Sequence, residues 1–145
     1  MVTSCNTQTN ASTAGHLEDY PIKTLKLGDK KVKVYIANTD ERQKQGLSKI
    51  QSKDFPVDSG MLFPDEYMHI RQFWMPETYF DLDVIFMNSD YYVLDIHRGL
   101  KHFPGKGSRR EVPLSKEVFC QHVLELRADS PLAKLVQPGM TLKFE

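Results

Sequence analysis

Apolar and polar residues alternate through "PIKTLKLGDKKVKVYIA" on both sides of Gly28-Asp29. Ile22, Leu25 and Leu27, followed by Val32, Val34 and Ile36, therefore predict a β-hairpin with one buried face. The period changes in "NTDERQKQGL", where Asn38 or Thr39 can cap a helix of about two turns, Glu41 falls three after Asn38, and Gly46 suits the left-handed position that ends it. From Ser48 to Pro64 the punctuation by Pro56, Gly60 and Pro64 predicts loops around one short buried strand, "GMLF". "IRQFWM" reads as extended up to Pro76. "DLDVIFMN" and "YYVLDIHRG" form a second hairpin about Asn88-Ser89-Asp90, with Val84 and Phe86 opposed by Tyr92, Leu94 and Ile96 on the inner face. "HVLELRA" is another alternating strand, "SPLAKLV" a brief helix with Ser130 as cap and Pro131 at its first position, and "PGMTLKFE" a closing strand. Roughly six to eight short strands with two brief helices predict a mostly β (α+β), compact barrel-like single domain rather than alternating βαβ units.

Composition narrows the class further. The 145 residues suffice for one domain with a substantial core, and 40% hydrophobic with 26% charged residues is ordinary for a globular chain. Nineteen basic residues balance nineteen acidic ones, so no overall field favours nucleic acid as a partner. No stretch reaches the ~18 consecutive apolar residues of a membrane-spanning helix.

The first residues are of a different kind. "MVTSCNTQTNASTAG" carries no charge and is dominated by small polar residues, so residues 1–18 are expected to be a polar leader ahead of a domain over 19–145. Within it "VTSC" has the small-residue spacing that precedes the acylated cysteine of bacterial lipoproteins, which makes Cys5 the candidate lipid attachment site, with a signal peptide expected upstream. Several acyl chains on one cysteine, at about 0.8 kcal/mol per buried CH₂, would hold the domain at a membrane surface. The expected location is exported, periplasmic or outer cell envelope, with the membrane touched only through the lipid anchor. Cys120, the second cysteine, reads as a free buried thiol in "EVFCQHVLEL".

Asp81 and Asp83 stand two apart before the apolar run Val84-Ile85-Phe86-Met87, and on one strand their Cα atoms would lie about 6.6 Å apart on one face. With Glu41 and Glu125 elsewhere, they are candidates for the paired carboxyls of a glycoside hydrolase, which stand about 5–9 Å apart. A strand-end acid pair is more often structural or binding. His16, His69, His97, His102 and His122 make neither HExxH nor a Cys-His cluster, so no metal site and no cofactor is expected. "HRGLKHFPGKGSRRE" gathers Arg98, Lys101, His102, Lys106, Arg109 and Arg110 in what reads as a long loop, solvated or anion-binding. Trp74, the single tryptophan, reads either as a core residue or as the wall of an open pocket.

In order, "ERQKQGL", "GMLF", "FWM", "LDVIFMN", "VLEL" and "PGM" resemble the domain-of-unknown-function 192 family over about Ile36 to Leu142. Glu41, Gly46 and Leu47 match the first motif, Gly60 to Phe63 the second, Phe73 to Met75 the third, Leu82 and Asp83 the fourth, and Val123 to Leu126 the fifth. Asp81 stands where the family usually has proline, Pro76-Glu77 where it has Lys-Asn, and Gly139-Met140 where it has Gly-Asp. The resemblance implies a compact β-rich domain, frequently exported, without an established activity. It also separates Asp83, part of the shared framework, from Asp81, a local departure.

The leading expectation is a non-enzymatic, envelope-associated, monomeric domain that binds a small ligand, glycan or envelope protein through Glu41, Trp74, Asp83 and Glu125. The alternative is a carboxylate-dependent hydrolase acting on a cell-envelope glycan or ester. In a third reading Asp83 is a buried structural acid held by backbone amides. The discriminating observation is whether Asp83 and a second carboxylate face one open pocket.

Overall fold

The computed structural model describes residues 17–105 and 110–145, so the readings placed on Cys5 and His16, and on Lys106 and Arg109, lie outside it. The chain forms β1 (Ile22–Leu27), β2 (Lys30–Ile36), α1 (Asp40–Gln45), β3 (Ser59–Phe63), β4 (His69–Arg71), β5 (Leu82–Met87), β6 (Val93–Leu100), β7 (Val118–Cys120), β8 (His122–Arg127) and β9 (Lys143–Phe144). Seven strands make one sheet in the order β9-β1-β2-β3-β8-β5-β6, and β4 pairs with β7 in a separate two-stranded ribbon. All pairings are antiparallel except β2 with β3, whose parallel register needs the long crossover that carries α1.

The sheet curls into a half-barrel within one compact, mostly β domain. Its two ends are joined by the C-terminal segment, where Val93 N–H donates to Met140 O (2.7 Å) and Leu142 N–H to Tyr91 O (2.9 Å) just before β9 pairs with β1. Leu25, Val32, Leu62, Ile85, Leu124 and Ile96, from six different strands, belong to one apolar cluster, so that cluster fills the inside of the curl. The alternate residues of the central strands, including Met61, Phe63, Leu82, Val84, Phe86 and Val123, join Phe55, Met75 and Phe80 in a second cluster on the outer face, beneath the loops. Strands buried on both faces read as continuous apolar runs, which explains "GMLF" and "LDVIFM". At Gly60 even a methyl group would lie 2.7 Å from Leu126 Cδ2, so any side chain there would displace the buried Leu126 side chain on β8.

The helix forms as its caps dictate: Thr39 Oγ1 accepts from Arg42 N–H at 3.1 Å, and Gly46 ends it at φ 49°. The second expected helix is only a 3₁₀ turn, Ala133–Leu135, with Ser130 Oγ accepting from Leu132 N–H. Pro138-Gly139 leave too few residues for a stable α-helix.

The inner face expected for the second hairpin is corrected. Tyr92 and Leu94 are exposed at 42% and 37%, while Val93 and Ile96 are buried. Pairing shifts from Met87↔Val93 to Phe86↔Asp95, a bulge at Leu94 that changes the alternation phase. A second bulge lies between Leu82↔Leu100 and Val84↔His97, where Gly99 takes φ 65°. The basic segment, whose first residues His97 to Gly99 also close the expected hairpin strand, is strand through Leu100. Leu17, at the edge of the leader, is buried in the outer-face cluster.

Candidate functional site

The alternation of β8 sends Leu124 and Leu126 into the curl and Val123 and Glu125 to the outer face. Glu125 is flanked there by Met61 of β3 and Val84 of β5. It lies at the base of a cleft of about 400 Å³ between the loop following α1 (Gly46, Leu47, Ser48) and the strap from Arg71 to Met75. That volume suits a small ligand.

Two buried ionisable groups face this cleft. Glu125 is 3% exposed, and its carboxyl makes no hydrogen bond among the described residues. Burial pushes its pKa up to about 8, with the charge of Arg71 countering only in part, so at neutral pH it is largely an uncharged acid. Arg71 is 9% exposed. Its Nη1 donates to Phe63 O (2.9 Å) and Gln121 O (2.8 Å), and its Nη2 to Gln43 Oε1 (3.2 Å). Gln43 is itself fixed, its Nε2 donating to Ala37 O and Pro64 O. A guanidinium has five N–H donors. Among the described residues, Nε and one Nη2 hydrogen of Arg71 therefore have no acceptor, and no carboxylate lies within ion-pair distance of it.

The rest of the cleft is apolar and aromatic. Phe63 and Phe73 meet edge to face at 5.0 Å, and the Arg71 guanidinium lies 5.2 Å from the Phe73 ring centre. Trp74 is 40% exposed at the mouth, which corrects the core reading of this residue in favour of a pocket wall. Ile70, 59% exposed, extends the apolar rim. Across the mouth Ser48 Oγ donates to Pro76 O (2.7 Å) and Lys49 N–H to Glu77 O (2.7 Å). Lys49 and Glu77 both sit in left-handed backbone, φ 65° and 52°, a strain that their mutual contacts hold in place.

Of the four candidate binding residues, the structure brings Trp74 and Glu125 to this cleft and leaves the other two outside it. Glu41 is exposed on α1 and does not line it. Asp83 pairs across β5–β8 with Leu126 and so points the opposite way from Glu125. Its Oδ2 accepts from Arg98 Nη1 (2.9 Å) and its Oδ1 from Gly99 N–H (2.9 Å) at the second bulge. Arg98 also donates to Ala133 O and Val136 O, so Asp83 ties the β6 edge to the 3₁₀ turn. Asp81 lines a separate shallow depression, accepting from His102 N–H (2.9 Å) and Nδ1 (2.6 Å) and lying 3.5 Å from Lys101 Nζ. Burial would raise the Asp81 pKa, but His102 and Lys101 outweigh it and hold the carboxyl below its ordinary range. Cys120 is a free buried thiol, pushed up to about 11 chiefly by burial. Among the described residues no three of His, Cys, Asp and Glu gather as metal ligands.

Arg71 escaped sequence reasoning. Its one local signal was an arginine in phase with the inward-facing Phe73 and Met75 of an alternating strand; its anchors lie 8, 28 and 50 residues away.

No functionally curated protein matches the chain. A crystal structure of a "putative transcription regulator" from Sinorhizobium meliloti 1021 is similar, with 27% identity and TM-score 0.64 over 86% of this chain and 95% of that one. A protein of unknown function from Novosphingobium aromaticivorans DSM 12444 shares the fold at 24% identity and TM-score 0.64, covering 86% and 84% of the two chains. The DUF192 family, described as an uncharacterized ACR, matches residues 23–144, nearly all of the described domain, and the chain belongs to that family.

Proposed function

We propose that the domain binds a small molecule in the cleft above Glu125. One observation carries this reading: a buried carboxyl and a buried guanidinium share one cleft, each with hydrogen-bonding capacity that the protein leaves unused. No fully buried side-chain nitrogen or oxygen among the described residues lacks a partner, so these unfilled atoms reach the open space of the cleft, where a ligand can complete them. The hydrolase alternative gains no comparable support, because among the described residues Glu125 is the only carboxylate lining the cleft and two-carboxyl chemistry lacks its second member. A nucleic-acid partner gains none from a chain with equal basic and acidic residues. Small molecules released by denaturing the protein purified from its own host should include one species near equimolar abundance, depleted in Glu125→Leu. Identical profiles from the two proteins, or no such species from the parent, would refute the proposal.

The cleft is proposed to work in the cell envelope, carried on an acylated Cys5. The "VTSC" spacing and the polar leader that follows support this placement. The full gene product expressed in its host is expected to partition into detergent, and Cys5→Ser to release it to the aqueous phase. Aqueous partitioning of the parent would end the tether proposal.

A further inference from the structure

We propose that the ligand of this cleft is a small organic anion, a carboxylate on an apolar body, held by the unused N–H groups of Arg71 and the buried carboxyl of Glu125. This rests on the cleft being a binding site and goes on to name its chemistry. The Arg71 guanidinium is buried, three of its hydrogens are fixed on protein acceptors, and no carboxylate among the described residues neutralises it at ion-pair distance. A buried cation of this kind lacks a counter-ion, and a planar fork of N–H donors matches a carboxylate. Glu125, protonated at neutral pH, adds an O–H donor from the base of the same cleft. The free N–H groups of Arg71 and the O–H of Glu125 are donors, with the Glu125 carbonyl oxygen as an acceptor beside them, and next to a guanidinium with no carboxylate at ion-pair distance among the described residues the complementary ligand head is an acceptor carrying negative charge. The apolar walls, Phe63, Phe73, Trp74, Met75 and Ile70, take the body of the ligand.

The surroundings of Glu125 agree with this polarity. β3 and β5 present Met61, Phe63, Leu82 and Val84, none of them charged. The titratable and charged groups near Glu125 are Arg71 and His69 on β4 and Lys44 on α1, with the buried Cys120 thiol and Asp65 beyond Arg71. Asp65 is held by His69, its Oδ2 2.6 Å from Nε2, and does not reach Arg71 at ion-pair distance. An ammonium ligand would enter beside Arg71 and would have to ionise Glu125 first, releasing a proton. An anionic ligand leaves that proton in place.

Hexanoate, hexanamide and hexylamine share one body and differ in the head group, and none absorbs where the single tryptophan emits. Titrated against Trp74 emission at pH 7, hexanoate should bind at least about tenfold more tightly than hexylamine. Its affinity should fall by at least about tenfold between pH 7 and pH 9.5, as Glu125 ionises and repels it. Glu125→Gln keeps donor hydrogens and cannot ionise, so it should bind hexanoate at pH 7 and lose most of that pH dependence. Arg71→Lys, with its folding checked by a melting curve, should weaken hexanoate more than hexanamide. Preference for hexylamine, or hexanoate affinity rising with pH, overturns the anion assignment while leaving the cleft a binding site. If none of the three binds, the anion assignment fails; if the denaturation experiment also releases nothing, the cleft fails with it.

Discussion

Glu125→Gln is expected to match the parent in stability near pH 5 and to exceed it by about 4 kcal/mol near pH 8. The unfolded chain loses the Glu125 proton near its ordinary value of 4.5, while the folded chain keeps it to about 8. Between those values the native state binds more protons than the unfolded state. Stability is therefore lost as pH rises through the window and levels off above it. His97 and His122 act with the opposite sign. Burial, aided by Lys116 and Arg71 respectively, lowers their pKa, so they return stability as pH rises through the ordinary histidine range. Their contributions cancel when the two proteins are compared at each pH. Urea melts of both proteins at half-unit steps from pH 5 to pH 9 supply the difference directly. A difference independent of pH would mean that Glu125 is solvated or partnered in solution, and the unfilled carboxyl would disappear from the account. A group that destabilises the empty protein at its working pH has the character of a functional residue retained against stability.

The second large effect belongs to the acid that the cleft does not use. Asp83→Ala should destabilise the domain by about 2–4 kcal/mol, because it strands a guanidinium and a backbone N–H at the β6 bulge. The Asp83 side chain is 3% exposed and that of Arg98 38%, so solvent can reclaim part of the arginine but not the Gly99 amide. Asp81→Asn should change stability by no more than about 0.5 kcal/mol, since its side chain is 30% exposed and its partners Lys101 and His102 are more exposed still. Denaturant melts of the two variants at pH 7 measure both. Comparable losses would contradict the division of labour between a framework acid and a surface acid.

The two aspartates also show what the sequence could and could not reveal. Asp83 could be read as a possible structural acid because it sits at the edge of an apolar run within a shared motif, and its partners, Arg98 and Gly99, lie on the adjacent strand of a hairpin that alternation predicts. The β3 strand, the capped α1 helix and the β5–β6 hairpin were legible for the same reason: their signals are local. The inner face of β6 was not, because each of its bulges shifts the alternation by one residue and only Gly99 marks one of them. Nor could the sequence say that Asp83 and Glu125 point to opposite faces, since the relative phase of β5 and β8 is set by pairing across some forty residues of chain. Trp74 and Glu125 could each be singled out as chemistry-bearing residues. Their meeting with Arg71 depends on β4 and β7, ribbon strands of three residues each, too short for periodicity to announce.

On the binding proposed here, ligand enters between the α1 loop and the Arg71–Met75 strap, above Glu125. Amide chemical-shift mapping of the folded protein during titration with a fragment library addresses it most directly. The account predicts that fragments which bind shift Gly46 to Ser48, Arg71 to Met75 and Glu125 together, and that these shifts weaken in Arg71→Lys. Shifts clustered instead on the depression of Asp81, His102 and Asp129, or on the groove from Asn38 to Tyr67, would contradict it.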